Sequence, residues 1–397
     1  MKKTLDYEEI LRHVEKPGRY IGGEWNEIKK DPRRIKTKIA LIFPDLYEVG
    51  MSYLGQKILY FILNNQPSVL AERVFSPWVD MEKELRRKKI PLFSLENKIP
   101  LSNFDILGFS LLYELNYSNI LTILDLGNIP FFSSERDLDL PLIIAGGPAV
   151  FNPEPIADIF DLFLVGDGEE AFLEISNQFI NLKQDLNEKS EVLKELAGIQ
   201  GVYVPSLYRS FRSKKSCLLA VKPEDGFPSK IKKRVVFPFH ESVFPEKIIV
   251  PNIRTIFDRV SVEVARGCPQ KCRFCQASNI YFPSRVKNPN FVINKILDSL
   301  RATGYEDASL AALSVSDYPY LEETIESLME ILEKQKISLS LPSLRPKGLT
   351  SGIVENIVRV RKTGFTLVPE AGTERLRRVI NKNLKNSEIW DASKNAF

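Results

Sequence analysis

The sequence is poor in histidine and cysteine. Its 397 residues include two histidines, His13 and His240, and four cysteines. Two histidines cannot supply a three-histidine zinc site, and the H-E-x-x-H motif of zinc proteases does not occur. The low cysteine content also excludes the framework of several disulfides on which small secreted domains depend.

Long apolar runs are lacking as well. None approaches the roughly 18 residues that a transmembrane helix needs. The first residues, MKKTLDYEEILRH, lack the apolar core of a secretory signal. Apolar residues make up 44% and charged residues 27% of the chain, which excludes a wholly disordered or collagen-like protein. We therefore expect a cytoplasmic protein with no membrane partner.

The chain has no strong excess of either charge. Its 55 Lys and Arg and 51 Asp and Glu leave a formal net charge of +4. An excess this weak and dispersed predicts no extended footprint for nucleic acid or anionic membranes. The basic run over 230–234 is a local exception. We interpret it as a solvated face, with an RNA site as the alternative.

Composition and apolar patterning divide the chain into four segments. A chain of this length predicts two or three domains at about 150 residues per domain. A polar N-terminal extension is predicted over 1–35 and an α/β domain over 36–180. A proline-rich connector with some β structure follows over 181–256, and a second α/β domain over 257–397.

Short apolar runs alternate with helical patterns in the first domain. Strands are predicted over 38–43, 71–75, 104–110, 141–145 and 160–165. This alternation predicts a doubly wound, Rossmann-like parallel sheet. No G-x-G-x-x-G or G-x-x-x-x-G-K-S/T motif occurs there, so a standard dinucleotide or nucleoside triphosphate site has no support.

A doubly wound sheet binds ligands in the loops at the carboxyl ends of its strands. Here those loops contain Tyr53, Gly146, Gly147, Gly166 and Gly168. Glycine lets the phosphate or amide of a ligand approach the backbone closely. The alternative is that these glycines only make tight turns and helix starts.

The second domain contains four predicted βα units. Strands are predicted over 260–265, 309–315, 337–341 and 365–368, each followed by a helix. Four units make neither a closed barrel nor a comfortable open sheet, because the last strand lacks a partner on one side. The chain stops at Phe397 within an amphipathic segment. We therefore expect a partial barrel that is truncated or needs a partner surface.

Three of the four cysteines form one compact group. Cys268, Cys272 and Cys275 have the spacing C-x3-C-x2-C directly after a predicted strand. Three thiolates on one loop can hold three irons of a cubane cluster and leave the fourth iron open. Zinc is the alternative, although structural zinc sites usually draw four ligands from two separated pairs. Cys217 stands alone and is interpreted as an incidental thiol.

The segment RGCPQKCRFCQ over 266–276 resembles the signature of radical S-adenosylmethionine (radical SAM) enzymes, in which an aromatic residue such as Phe274 precedes the third cysteine. The resemblance implies a [4Fe–4S] cluster whose open iron binds the amino and carboxylate groups of S-adenosylmethionine. Reductive cleavage would give methionine and a 5′-deoxyadenosyl radical, which abstracts hydrogen from an unknown substrate. It also implies an electron donor of the flavodoxin or ferredoxin type.

The resemblance places contacts with S-adenosylmethionine at the carboxyl ends of the barrel strands, at Ser316, Asp317, Ser343, Arg345 and Glu370. The segment 314–317 would hold the methionyl amine. Ser343 and Arg345 would meet the carboxylate or the ribose, and Glu370 the ribose hydroxyls. For each of them the alternative is an exposed loop residue. No catalytic residue is assigned beyond the cluster ligands.

The first domain resembles an uncharacterised subfamily of radical SAM proteins with a B12-binding domain. The segments that carry this resemblance are PGRYIGGEWN, FPDLYEVGMSYLG, ERVFSPWVDME, AGGPAVFNPEP and GDGEEAF. It implies cobalamin in the loops of the first sheet. The usual D-x-H-x-x-G motif is absent, and position 53 is tyrosine. Cobalamin would therefore be held without that histidine, or not be bound.

The leading hypothesis is a radical SAM enzyme, with cobalamin-assisted methyl transfer or another radical modification as its reaction. Modification of RNA or a ribosomal protein is a related interpretation that rests on the run over 230–234. The alternatives are a non-catalytic protein that binds a cluster or cobalamin, an inactive truncated fragment, and a zinc-stabilised binding module.

Overall fold

The computed structural model describes residues 7–213, 218–239, 244–362 and 364–396. The chain forms two compact units, one of Met1–Val236 with Ile249–Ile256 and the other of Phe237–Ile248 with Phe257–Phe397. Cys217 and His240 lie outside the described residues. The bounds of the four segments predicted from the sequence stay a prediction.

A mostly parallel sheet forms the centre of the first unit. Its strands are β1 (Thr37–Phe43), β2 (Val69–Phe75), β3 (Ile106–Ser110), β4 (Leu142–Gly146), β5 (Leu162–Leu164) and β6 (Val202–Tyr203). Their order is β2-β1-β3-β4-β5-β6. The first five are parallel, and β6 pairs antiparallel with β5. The doubly wound sheet predicted from five apolar runs is confirmed.

One helix precedes the sheet, and the others follow β1, β2, β3 and β5. They are α1 (Tyr7–Leu11), α2 (Tyr47–Gly50), α3 (Leu54–Asn64), α4 (Val79–Lys88), α5 (Tyr117–Leu126), α6 (Glu169–Asp185) and α7 (Lys189–Leu196). Alternate residues of β1 enter two apolar layers, Ala40 and Ile42 in one, Ile39 and Leu41 in the other. A strand covered on both faces is apolar throughout, which explains the run KIALIF.

Segments outside the predicted first domain take part in this unit. In the predicted extension, Ile10 is fully buried and Glu24 pairs with the buried Arg73 of β2 at 2.9 Å. In the predicted connector, β6 joins the sheet, and β7 (Tyr208–Arg212) and β8 (Leu218–Pro223) form a hairpin. Only the tertiary fold shows these contributions, because a two-residue strand has no periodicity of its own.

The second unit contains a three-stranded parallel sheet in the order β13-β12-β9. Its strands are β9 (Val260–Glu263), β12 (Asp307–Ala311) and β13 (Ser338–Ser340), and a short antiparallel pair is formed by β10 (Ala265–Arg266) and β11 (Arg285–Val286). Its helices are α8 (Ala277–Ile280), α9 (Pro289–Thr303), α10 (Leu321–Gln335), α11 (Ser351–Val358), α12 (Glu374–Val379) and α13 (Asn386–Ala396).

Local sequence signals set the ends of α9. The Asn288 side chain accepts a hydrogen bond from the Asn290 amide, Pro289 is the first helical residue, and Gly304 ends the helix with a φ of 73°. These are the N-cap, N1 and C′ preferences of helices.

The predicted fourth strand of the second unit is wrong. Residues 365–368 form neither helix nor strand, and Val368 is 45% exposed. A strand needs a hydrogen-bonding neighbour, and in the described part of the chain β13 pairs only with β12. The apolar run therefore stays irregular and unpaired. Among the described residues, no helix combines the length and apolar character that a bilayer crossing requires.

Candidate metal and cofactor site

The three cysteines lie on one loop between β10 and α8. In the structure all three are free thiols of intermediate exposure. Just before them, Gly267 has a φ of 91°, and a Cβ at this position would lie 2.6 Å from the Tyr281 carbonyl oxygen. Only glycine fits this left-handed and crowded position. The backbone conformation at the start of the cysteine loop is therefore set by Gly267.

The electrostatic surroundings of Cys268 favour its protonated form in the absence of a cation. Burial is the main cause that raises the pKa of this thiol, and the nearby Asp317 carboxylate and the other two cysteines raise it further. A hydrogen bond from the Gln270 amide acts in the opposite direction. A metal cation reverses this balance, because coordination deprotonates thiols.

Hydrogen bonds join the cysteine loop to the carboxyl end of β12. Gln270 Nε2 donates to both oxygens of Asp317, at 3.0 and 3.1 Å. The carboxyl ends of parallel strands lie at the same edge of a sheet, which explains this meeting. The structure thus brings the predicted contact Asp317 to the cysteines.

The loops after β12 and β13 are also joined to each other. Ser316 Oγ accepts a hydrogen bond from the Arg345 amide at 2.7 Å, and the Val315 amide donates to the Ser343 carbonyl at 3.3 Å. Ser343 has a positive φ of 61°. Such strain in a serine costs about 1–3 kcal/mol and persists where the surrounding structure enforces it. Four of the five predicted S-adenosylmethionine contacts therefore lie in one group of loops.

Ser314 adds a feature that sequence reasoning missed. Its side chain is 7% exposed, and its Oγ is buried without a hydrogen-bond partner in the described structure. An unsatisfied buried hydroxyl costs about 1–3 kcal/mol, and a polar ligand group that bonds it recovers this energy. The sequence indicates the segment 314–317 as a whole, but not the burial of this hydroxyl. The site therefore fits a ligand with an amine or carboxylate.

Glu370 and Phe274 have different surroundings from those predicted. Glu370 does not follow a strand. Its carboxylate accepts a hydrogen bond from Lys382 Nζ at 3.0 Å, and its φ is 68°. Phe274 is 57% exposed, so its ring does not pack into the loop. The roles of both residues stay a prediction.

The cysteine loop offers three thiols as ligands for a metal. Within the described ranges, no three His, Cys, Asp or Glu side chains are grouped so that they could hold one metal ion. A zinc ion binds each sulfur at about 2.3 Å, which requires its ligands to crowd together. A cubane cluster takes each thiolate on a different iron and so accepts wider spacing. Three thiolates on one loop therefore suit a cubane cluster with one open iron, and zinc stays the alternative.

In the first unit, two predicted ligand-binding glycines approach the protein's own backbone. A Cβ on Gly147 would lie 2.4 Å from the Leu111 carbonyl oxygen, and one on Gly166 would lie 2.1 Å from the Arg234 carbonyl oxygen. Both have a positive φ, 107° and 112°. The Asp167 amide also donates to the Arg234 carbonyl at 3.0 Å. These contacts favour the tight-turn interpretation for Gly147 and Gly166.

The other predicted loop residues are less restricted. Gly146 has only the Leu164 carbonyl oxygen near its Cβ position, at 3.9 Å, and Gly168 has the Leu59 side chain at 3.7 Å. The ring of Tyr53 packs against that of Phe43, with centroids 5.6 Å apart. Tyr53 therefore contributes to packing between the first strand and α3.

The strand order places a topological switch point between β1 and β3, where doubly wound sheets bind ligands. Asp45 follows β1, and its Oδ2 accepts hydrogen bonds from Tyr113 Oη at 3.0 Å and Asn116 Nδ2 at 3.1 Å. No sequence motif marks this group of side chains. Large apolar side chains are exposed in the loops after β2, β3 and β4, namely Trp78, Tyr113, Leu115 and Phe151.

Two family matches cover the regions that hold these sites. Residues 262–397 match the family described as Radical SAM superfamily, and residues 55–205 match the family described as Radical SAM proteins, N-terminal. The chain belongs to the radical SAM superfamily. The cysteine loop, with its C-x3-C-x2-C spacing, lies within the first of these matches.

A relative of undescribed activity matches over most of the chain. The uncharacterized protein MJ0966 of Methanocaldococcus jannaschii is 26% identical over 368 residues, which cover 89% of this chain and 65% of that protein. The chain thus spans about two thirds of its relative's length.

Two solved structures of the radical S-adenosylmethionine methyltransferase TsrM from Kitasatospora setae share the fold. The one with tryptophan substrate and the SAM analog aza-SAM has a TM-score of 0.55 at 12% identity. The one with cobalamin and a [4Fe-4S] cluster has a TM-score of 0.56 at 11% identity. Each match covers 90% of this chain and 64% of the TsrM chain. This similarity confirms the predicted α/β fold class.

Proposed function

We propose that the chain is a radical SAM enzyme whose Cys268, Cys272 and Cys275 hold a [4Fe–4S] cluster. When bound, the cluster and S-adenosylmethionine together supply one-electron cleavage of the sulfonium. The observation that carries the proposal is the Gln270–Asp317 hydrogen bond, which joins the cysteine loop to the loop of the unpartnered Ser314 hydroxyl.

The surrounding residues bind and orient S-adenosylmethionine in this proposal. Ser314 and Asp317 receive the methionyl amine, because one offers an unpaired oxygen and the other a carboxylate. Arg345 offers a guanidinium to the methionyl carboxylate. Ser316 holds the Arg345 backbone through the 2.7 Å hydrogen bond and so orients the loop that carries it. Glu370 is assigned to the ribose, in competition with Lys382.

Cobalamin binding by the first unit is a second part of the proposal. The exposed apolar side chains after β2, β3 and β4 offer a surface to a large, partly apolar ligand. The TsrM structure of similar fold contains cobalamin. The predicted loops hold tyrosine in place of the usual histidine, so the cobalt would have no imidazole ligand from them. Cobalamin-assisted methyl transfer is the reaction that we assign to this combination.

A basic rim lies next to the cysteine loop and suits an acidic electron donor of the flavodoxin or ferredoxin type. The rim consists of the exposed Lys271, Arg273, Arg375, Arg378 and Lys385. Residues 267–276 and 370–386 contain seven basic and two acidic side chains, a formal charge of +5, whereas the whole chain carries +4. Charge complementarity steers such encounters. Replacing Lys271 and Arg378 with glutamate should slow reduction by flavodoxin more than reduction by dithionite.

The substrate stays open between a small molecule and RNA or a ribosomal protein. The basic run over 230–234 gives RNA weak support, because Arg234 pairs with Glu170 at 3.3 Å and Glu174 at 3.2 Å. Two neighbouring carboxylates offset the charge that a phosphate would need.

The test is iron and sulfide analysis of the anaerobically reconstituted full chain, with electron paramagnetic resonance in the presence and absence of S-adenosylmethionine. We expect about four irons per chain and a spectrum that shifts when S-adenosylmethionine is added. Cys272→Ala should lose the cluster, whereas Cys217→Ala, which removes a thiol outside the loop, should keep it. Zinc in place of iron, or folded protein that takes up no iron, would contradict the proposal.

A second assay separates an enzyme from a non-catalytic cluster protein. The reduced, cluster-loaded chain is incubated with S-adenosylmethionine, and 5′-deoxyadenosine is measured by chromatography. Formation of 5′-deoxyadenosine in wild type but not in Cys272→Ala supports the enzyme. A loaded cluster without this product supports the non-catalytic alternative.

A further inference from the structure

The end of α12 and the residues that follow it form hydrogen bonds with the cysteine loop on both sides of Cys272. The Arg273 amide donates to the Ile380 carbonyl at 2.9 Å, and the Arg273 guanidinium donates to the Val379 carbonyl at 2.7 Å. On the other side, Asn381 Nδ2 donates to the Lys271 carbonyl at 2.6 Å. Both neighbours of the middle cysteine are thus fixed by residues more than 100 positions away.

A buried arginine organises this segment. Arg377 is 1% exposed, and its guanidinium donates to the Leu384 carbonyl at 2.8 Å, to the Ala371 carbonyl at 2.9 Å and to Asn386 Oδ1. Its own carbonyl accepts from the Lys382 amide at 2.9 Å. The planar guanidinium directs its donors at three separate acceptors in a fixed geometry, whereas a lysine ammonium is a single point whose donors rotate. Hydrogen bonds from Arg377 therefore join residues 371–386 into one connected segment, here named the clamp.

We propose that Asn381 and Arg377 are positioning residues, which hold Cys272 where its thiolate binds iron. This inference rests on the proposed function, because the position of Cys272 matters for iron binding only if its thiolate is a ligand. The clamp follows the unpaired segment 365–368, so it does not extend the sheet. Its hydrogen bonds go to the loop that flanks the thiol.

The backbone of Asn381 determines which variants are informative. Its φ is 56°, in the left-handed region that asparagine, aspartate and glycine tolerate best. Asn381→Asp keeps the shape but replaces the donor with a carboxylate facing the Lys271 carbonyl. Asn381→Gly keeps the backbone and removes the side chain. The matched control is Asn356→Asp, because Asn356 Nδ2 donates to the Gly352 carbonyl within α11.

The first experiment follows trypsin cleavage after Lys271 and Arg273 in the iron-free full chain, with the products identified by mass spectrometry. We expect both Asn381 variants to be cut at these bonds about 2- to 12-fold faster than wild type, the effect of losing one hydrogen bond. Asn356→Asp should be cut there at the wild-type rate. Wild-type rates in both Asn381 variants would overturn the inference.

The second experiment measures how fast a chelator removes iron from the reconstituted variants, together with their resonance spectra. We expect faster iron loss and a broadened spectrum in Asn381→Asp and Arg377→Lys, and wild-type behaviour in Asn356→Asp. Unchanged iron loss in Asn381→Asp would overturn the positioning role even if trypsin cleavage is faster. A wild-type chain that takes up no iron would refute the proposed function, whereas the cleavage result judges the clamp by itself.

Discussion

The buried charge cluster around Arg73 leads to a specific prediction about stability and pH. Arg73 lies on β2 and pairs with Glu24 at 2.9 Å, Glu27 at 3.2 Å and Glu96 at 2.6 Å. One guanidinium cannot neutralise three buried carboxylates. Burial, with the nearby Glu72 charge adding to it, raises the pKa of Glu96 to about 7, although Arg73 acts to lower it.

The sign of the pH dependence follows from this raised pKa. The folded protein binds the Glu96 proton more tightly than the unfolded chain, in which the pKa of this carboxyl is 4.5. The free energy of unfolding therefore falls as the pH rises from 4.5 through 7. Burial also raises the pKa of Glu27, which acts in the same direction. Burial acts to raise the pKa of Glu24, but the Arg73 charge lowers it to about 2. The stabilisation that ionised Glu24 contributes is therefore lost only as the pH falls below 4.5.

The change to make is Glu96→Gln, which resembles the protonated carboxyl at every pH. Between pH 5 and pH 7.5 the Glu96 shift costs wild type about 2 kcal/mol of unfolding free energy. We expect the variant to match wild type at pH 5 and to exceed its stability at pH 7.5 by about this amount. Burial lowers the pKa of Lys98 only to about 8, so this lysine stays charged across most of that range.

The assay is urea unfolding followed by tryptophan fluorescence at the two pH values. The chain has three tryptophans. In a Trp390→Phe background the signal comes from Trp25 and Trp78, both in the first unit. Glu82→Gln is the control, because Glu82 lies on α4 and pairs with Arg86 at the surface. Wild-type stability that is equal at both pH values, or a Glu96→Gln variant less stable than wild type at pH 7.5, would refute the reasoning.

Three further predictions concern the binding sites. Gly267→Ala should lower the free energy of unfolding by at least about 1–2 kcal/mol through left-handed strain, which Trp390 fluorescence during thermal unfolding checks. It should also lower iron uptake, which metal analysis checks. Ser314→Ala should keep or raise the unfolding temperature, because it removes an unsatisfied hydroxyl. It should weaken S-adenosylmethionine binding, measured by equilibrium dialysis, about tenfold. Lower stability with unchanged binding would contradict this prediction. Leu115→Ser, at an 83% exposed position, should weaken cobalamin uptake measured by absorbance without changing iron content.

The fold class could largely be predicted from the sequence, and so could the position of the three cysteines on one loop; their role as cluster ligands stays a proposal. The apolar run KIALIF predicts a buried parallel strand, and β1 is that strand. Such runs report burial on both faces, which is a property of the strand itself. The C-x3-C-x2-C spacing likewise places three thiols on one loop, because the next predicted helix begins only after the third cysteine.

The tertiary structure decided what depends on distant partners. Residues 365–368 have the apolar pattern of a strand, but they lack a neighbouring strand to pair with and stay irregular. Gly166 could equally face a ligand or the chain's own backbone until the fold places Arg234 against it. The Asn381–Lys271 hydrogen bond spans 110 positions. Periodicity records only neighbours within a few residues, so contacts across such separations exist in the folded chain alone.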